Sequence, residues 1–316
     1  MFSLTKVHQP FKRLLATAAF AFVVAASASS VAEVRSPVLM INDDAATADV
    51  AVETLRGGVS VLTGSGGNIG VYVGQSGKFL VDAGIASSRS KIVSALDSLG
   101  RVPVKFVVDT HYHWDHTDGN GWLRQAGATI IAHDNTLKRL STGTRVIEWG
   151  FYFPPTPPGA LPNETVQRER TIAFDGETVV VTHFGAGHTD TDLAVHFRNA
   201  DVLLVGDLWW NGHYPFIDNG AGGSIDGVIA WTERLIKAAT PRTIVVPGHG
   251  PVGTRAELSE FRDMLVAVRG NVAKLKKQGK TLAETIAANP TAHFDKQYGD
   301  FLISPAFFVQ LVYMGV

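Results

Sequence analysis

The chain begins with a predominantly apolar run, "LLATAAFAFVVAA" (Leu14–Ala26), preceded by Lys6, His8, Lys12 and Arg13 and followed by the small-residue stretch "ASASSVA". A basic head, an apolar middle and a small-residue tail form the layout of a secretory signal. Cleavage is expected after Ala28 or Ala32; residues 1–32 are read as the signal and 33–316 as a single domain bound for the periplasm or the exterior. Thirteen residues fall short of the roughly 20 that a membrane-spanning helix needs. No membrane contact is therefore expected once the signal is removed.

Beyond this segment the apolar period shortens to two. "VAVETL", "GVSVLTG", "NIGVYVG" and "KFLVDAG" are separated by glycine-rich turns and predict a meander of short strands. "SRSKIVSALDSLG" changes to a helical period, with Ile92, Val93, Leu96 and Leu99 on one face and Gly100 as its stop. "VKFVVD" and "ATIIAH" read as strands and "NTLKRLST" as a helix, whereas "FYFPPTPPGALPNET" is too rich in proline for either and predicts a long surface loop. A second series follows: strands at "RTIAF", "ETVVVTHF", "DLAVHF" and "DVLLVGD", a helix over "SIDGVIAWTERLIKAA", a strand "TIVVPG", and a long helix over "RAELSEFRDMLVAVRGNVAKLKKQG". Two successive halves of strands and helices bury their apolar faces best as two stacked sheets with helices outside. The predicted fold is an α/β four-layer αββα sandwich.

Composition narrows the chemistry. With 28 basic and 29 acidic residues the formal charge is −1, which provides no basic excess for a nucleic-acid backbone. A small-molecule substrate is the expected partner. The chain has no cysteine, so disulfides and thiol catalysis are excluded and a metal site must use nitrogen and oxygen ligands.

Three of the eleven histidines fall in "DTHYHWDH", immediately after the apolar strand "VKFVVD". If the strand frays here, alternation sends His111, His113 and Asp115 to one side. His116 then joins them through a bend after Asp115, for which "TDGNG" supplies turn residues. Imidazole and carboxylate are the cysteine-free ligands of zinc and related ions. Further ligands are expected at other strand ends: His188 in "FGAGHTDTD", Asp207 closing "DVLLVGD", and His249 closing "TIVVPGHG".

"THYHWDH", "GAGHTDTD", "VGDLWW" and "VPGHG", in this order, resemble the metal-binding motifs of the metallo-β-lactamase-fold hydrolases, from "FLVDAG" onward. The resemblance implies one metal at His111, His113 and His188, a second at Asp115, His116 and His249, and Asp207 as the bridge. It also implies that Asp82 orients a histidine ligand. Two zinc ions are expected, although iron and manganese suit the same residue types. Such a pair can share a hydroxide that attacks a carbonyl, with Asp115 relaying a proton and Asp207 fixing the spacing. The implied function is an exported metallo-hydrolase acting on a small cyclic amide or ester, β-lactam- or lactone-like.

Three alternatives stand beside it: a glyoxalase II-like thioester hydrolase, a mononuclear iron enzyme resembling persulfide dioxygenases, and a metal-binding protein without turnover. In the resemblance, aspartate at position 207 is more typical of the thioesterases, lactonases and phosphodiesterases than of lactamases with a cysteine ligand. Export speaks against a glutathione thioester, and Lys274, Lys276 and Lys277 read as a solvated helix face. For the pocket, the aromatic stretch after Asp207 offers Trp209, Trp210, His213, Tyr214 and Phe216, with His213, Tyr214 and Trp209 as substrate-binding candidates. The proline-rich loop Phe151–Pro162 is expected to cover them, and His133, His183, His196 and His293 are read as structural.

Overall fold

A computed structural model describes residues 36–316, so the expected signal segment lies outside the described residues. Helix α1 (Pro37–Thr47) comes first, with Val38 and Ala45 buried. Strands β1 (Ala51–Thr54), β2 (Val59–Thr63), β3 (Ile69–Val73) and β4 (Lys78–Val81) form the expected antiparallel meander. Helix α2 (Arg89–Ser98) then crosses over to β5 (Val104–Val108), which pairs parallel to β4. After α3 (Trp114–Thr117) and α4 (Asn120–Gln125), β6 (Thr129–His133) extends the sheet, and α5 (Asp134–Thr142) follows. A small hairpin of β7 (Thr144–Val146) and β8 (Phe151–Phe153) precedes β9 (Glu164–Val166), which completes a seven-stranded sheet in the order β1-β2-β3-β4-β5-β6-β9.

The second sheet has six strands in chain order: β10 (Glu169–Phe174), β11 (Glu177–Thr182), β12 (Ala194–Phe197), β13 (Val202–Leu204), β14 (Ile244–Val246) and β15 (Gly253–Thr254). Helix α6 (Ile225–Ala238) is the crossover between the parallel pair β13 and β14. Helix α7 (Arg255–Lys277) starts on a Thr254–Glu257 capping box and buries Leu258, Phe261, Leu265, Val268 and Val272 at alternating spacings of three and four. Helices α8 (Leu282–Ala287), α9 (Asp295–Tyr298) and α10 (Pro305–Gly315) close the chain.

Strand alternation sorts the core into layers. Val59, Val61, Phe79, Val81 and Val108 of the first sheet meet Val179, Val181, Phe197, Val202 and Leu204 of the second in one cluster between the sheets. Their neighbours Leu62, Leu80 and Val107 face the opposite way, onto Ile92, Leu96 and Leu123 of α2 and α4. On the far side, Leu203 and Val245 face Val228, Trp231, Phe261 and Leu265 of α6 and α7. This is the αββα sandwich expected from the sequence.

Two local expectations are corrected, and one region went unread. The segment read as one loop from Phe151 begins as strand β8, paired Phe151 to Val146 and Phe153 to Thr144. The lysine group is not uniformly solvated: half-buried Lys276 donates through Nζ to Tyr313 O at 2.9 Å and to Val316 O, capping the end of α10. Helices α1 and α8–α10 have no counterpart in the sequence reading, although Phe308, Leu311 and Val312 of α10 are fully buried against the α6–α7 layer.

Candidate metal centre

The chemistry collects beyond the carboxyl ends of two of the parallel pairs, β4–β5 and β13–β14. Asp82 follows β4, Asp109–His113 follow β5, Asp207 follows β13, and His249 follows β14. Parallel strands all deliver their C-terminal loops to the same edge, which is where open α/β sheets place ligands. The two sheets are tied together there, for Asn68 of the first donates through its backbone N–H to Gly248 O at 2.8 Å and through its amide to Pro247 O at 3.0 Å.

The backbone bends earlier than expected. It is irregular from Asp109 to His113, and α3 starts at Trp114 with His113 in extended conformation as its N-cap. Asp115 and His116 therefore sit on a helical turn, and the bend that admits His116 precedes Asp115 instead of following it. Strand alternation does not reach this far, because Asp82 takes over the hydrogen bonding at the end of β5: its carboxylate accepts from Thr110 N at 2.6 Å and Thr110 Oγ1 at 2.9 Å. Asp82 does this from a left-handed backbone, φ 71°, which among residues with a side chain a short polar one tolerates best.

The structure brings all seven expected ligands into two adjoining groups, His111, His113, His188 and Asp207 in one, and Asp115, His116 and His249 in the other. In the first, the outward nitrogen of each ring is engaged. His111 Nδ1 donates to Thr110 Oγ1 at 3.0 Å, His113 Nε2 to Asp218 Oδ2 at 3.0 Å, and His188 Nδ1 to Phe216 O at 2.8 Å. This leaves His111 Nε2, His113 Nδ1 and His188 Nε2 facing one another, 3.1 and 3.0 Å apart. Three unprotonated nitrogens converging at this distance repel unless a cation sits among them. In the second group His116 Nδ1 donates to Asp82 Oδ2 at 2.8 Å, which turns His116 Nε2 inward to within 3.6 Å of Asp115 Oδ2. Asp115 Oδ2 is also 3.4 Å from His249 Nε2.

Asp207 stands between the groups. Its Oδ1 lies 3.1 Å from His116 Nε2 and 3.3 Å from His249 Nε2, and its Oδ2 lies 3.7 and 3.6 Å from the Nε2 atoms of His111 and His188. Both His116 Nε2 and Asp207 Oδ1 are buried with no hydrogen-bond partner, the state of ligand atoms that expect a cation. Glycines make room for them: a Cβ on Gly248 would lie 2.0 Å from Asp207 Oδ1, and one on Gly67 would lie 2.2 Å from the His116 ring. The donor set thus fits divalent metal.

The electrostatics agree with neutral, ligand-ready His111 and His188 on one side and anion-rich surroundings on the other. Burial pushes His111 well below its usual value and takes His188 down to about 4. Burial also opposes charge on His116, but Asp115, Asp207 and Asp82 around it hold it well above the usual value. The Asp207 carboxylate resists the same burial because His249, His116 and His111 surround it, and it falls well below the usual carboxylate range.

Asp218 is the functional residue that sequence reasoning missed. Besides holding His113 it accepts from the Tyr112 hydroxyl, and it turns its own loop by accepting from Ala221 N at 2.9 Å. Against the cost of its burial, the His113 ring and the Tyr112 hydroxyl bring it down to about 2. The signal was present in "FIDNGAGG", an aspartate before turn residues, but was overshadowed by the aromatic run before it.

That aromatic run is mostly core. Trp209 and Tyr214 are fully buried, as is Phe216. The Tyr214 hydroxyl donates to Asp295 Oδ1 at 2.9 Å while its ring stacks on Phe308 at 4.6 Å, so its place is under α9 and α10 and not at the substrate. Trp209 packs within the same cluster, its ring against Gly253. Both expectations of a substrate contact are corrected by this burial. His213 stacks on Phe301 at 4.2 Å, and burial followed by the His249 charge lowers its pKa. The cavity over the ligands has a volume of about 270 Å³ and is lined by Asp115, Asp207 and His249 together with Trp114, Trp149, Trp210 and Phe301. The proline-rich segment contributes nothing to that lining. Phe153 and Pro154–Pro157 instead wall a neighbouring cavity of about 320 Å³ that shares Trp114 with the first.

Residues 62–249 match the family model of the metallo-beta-lactamase superfamily. The chain belongs to that superfamily and is a metal-dependent hydrolase. It is 26% identical over 190 residues to a metallo-beta-lactamase type 2 of Bacillus cereus, covering 60% of this chain and 69% of the relative. It is 29% identical over 161 residues to a hydroxyacylglutathione hydrolase of Gloeobacter violaceus, covering 50% and 52%. Among solved structures, a metallo-beta-lactamase from Pontibacter korlensis aligns with TM-score 0.55 and 21% identity over 69% of this chain and 99% of its own. The stereoselective inverting sec-alkylsulfatase Pisa1 from Pseudomonas sp. aligns with TM-score 0.65 and 15% identity over 84% of this chain and 50% of its own. At such identities the structural likenesses speak for the fold alone.

Proposed function

We propose that this chain is an exported hydrolase, periplasmic or secreted, that holds two zinc ions and opens a small cyclic ester or amide, lactone-like or β-lactam-like. The observation that carries the reading is Asp207, whose two carboxylate oxygens each face a separate ligand group at the floor of a cavity. Export rests on the basic, apolar and small-residue order of the first 32 residues.

His111, His113 and His188 would hold one ion, Asp115, His116 and His249 the other, with Asp207 shared. When bound, the ions would polarise a carbonyl oxygen and lower the pKa of a water to near neutrality. The protein's own work is positional. Asp82, Asp218 and the Phe216 carbonyl fix the tautomer and tilt of three of the ligand rings. Asp115 lines the cavity with its Oδ2 among His116 and His249, where it can take a proton from the attacking water and return it to the leaving oxygen or nitrogen. Trp114, Trp149 and Trp210 restrict bulk water.

The identity to a hydroxyacylglutathione hydrolase favours thioester hydrolysis as the second reading. A panel of lactones, β-lactams and thioesters assayed on zinc-loaded protein, alongside metal analysis and N-terminal sequencing of the mature chain, decides between them. Highest kcat/KM on a lactone or β-lactam is expected. Best turnover of thioesters would transfer the assignment to the second reading, and no turnover anywhere would remove both.

A further inference from the structure

The residues that face the substrate without serving as ligands have a consistent chemistry. Four aromatic rings line the cavity, Trp114, Trp149, Trp210 and Phe301, so three of the chain's six tryptophans converge here from distant positions. They meet as two angled pairs, Trp114 with Trp149 at 5.1 Å and 84°, and Trp210 with Phe301 at 6.0 Å and 68°. The remaining charged lining residue is Asp44, and among the described residues lining the cavity there is no lysine or arginine.

Asp44 is brought there by a built wall. Helix α1 is fastened to both tryptophans of the first pair: Ser36 Oγ donates to Trp149 O at 2.8 Å, and Trp114 Nε1 donates to Asn42 Oδ1 at 3.0 Å. Its far end is held by Ser88 Oγ, which donates to Ala45 O at 2.8 Å. Ile41 and Asp44, one turn apart, then both line the cavity, and the Asp44 carboxylate accepts from Ser65 Oγ beside it. Asp115 and Asp207 are committed to the ligand groups, which leaves Asp44 as the anion available to a substrate.

Aromatic rings beside a carboxylate that is not a metal ligand form the recognition chemistry of an ammonium, above all a quaternary one, which gains from ring quadrupoles and loses little hydration on burial. A carboxylate substrate would meet no cation in this lining beyond the bound metals. We infer that the substrate, on the hydrolase reading above, carries an ammonium-type cationic group that sits between the aromatic pairs and Asp44.

The test separates binding from turnover. Choline and its uncharged carbon isostere, 3,3-dimethylbutanol, are titrated calorimetrically into metal-loaded protein, and acetylcholine and 3,3-dimethylbutyl acetate are compared as esters. Choline is expected to bind about fivefold tighter or more, and Asp44→Asn and Phe301→Leu, both at exposed positions, should each shrink that preference about threefold. Equal affinity of the two probes, or a preference that Asp44→Asn leaves intact, overturns the inference. A cation preference with no ester, lactone or amide hydrolysed would sink the hydrolase reading while the binding site stands. Hydrolysis without the preference would do the reverse.

Discussion

The two ligand groups are built to different standards. His111, His113 and His188 are all at most 2% exposed, and each ring is anchored through its outer nitrogen to a hydroxyl, a carboxylate or a carbonyl. In the other group only His116 has such an anchor, Asp82, while Asp115 and His249 line the open cavity. Preorganised rings lose little freedom on binding an ion, so the first group should hold its metal more tightly. The second faces substrate and is where exchange and chemistry belong.

Asp207 is where the contrast can be broken outright. Its replacement by alanine removes a ligand from both groups and the spacing between them, so turnover should fall about a hundredfold or more. Circular dichroism should change little, since the side chain supports no strand or helix. Near-normal turnover would show that the two groups act independently.

Single ligands sharpen the asymmetry. His249→Ala should leave one tightly held ion per chain, whereas His188→Ala should weaken the tighter of the two sites, as read by competition with a chromophoric chelator. Equal losses in both variants would mean that burial and anchoring do not rank the sites.

The anchors should act more gently. Asp218→Asn keeps the shape of the loop but loses the charge behind His113, and about a tenfold weaker first site is expected with the second unchanged. Asp82→Asn should weaken both sites, because Asp82 holds His116 directly and His111 through Thr110. An effect confined to one site would exclude the Thr110 relay.

A further effect, on stability and not on turnover, is a pH dependence beneath His188. Asp192 accepts from the Thr189 backbone and hydroxyl, yet burial raises it from 3.8 to about 7. Between those values the folded metal-free protein keeps a proton that the unfolded chain has lost. Its contribution to stability is therefore present below about 4 and disappears as pH rises through about 7. In chelated protein, the melting temperature of Asp192→Asn relative to the parent should rise from pH 4.5 to pH 8. A constant difference would place the Asp192 titration elsewhere.

How much of this was legible depends on the range of each interaction. Strand and helix periods were readable from Val50 to Gly279 because each one reports on a single buried face. The ligands were readable because histidines and aspartates were concentrated at strand ends, in a chain without cysteine. The helical turn at Trp114–Thr117 was hidden, since it depends on Asp82 capturing the end of β5 from 28 residues away. Tyr214 and Trp209 misled because nearness in sequence to Asp207 says nothing of which way a ring points, and α9 and α10, unread in the sequence, bury Tyr214.

By itself, the order of apolar periods and of the four histidine- and aspartate-bearing motifs determined the layered architecture and the metal-ligating residue types. These are local properties, set by side-chain alternation and donor chemistry. Tertiary structure alone decided that Asp218 stands behind His113, and that α1, Trp114, Trp149, Trp210 and Phe301 enclose the cavity. Each of these relations joins residues far apart in the chain, and only packing of the two sheets and their helices brings such residues within a few ångströms.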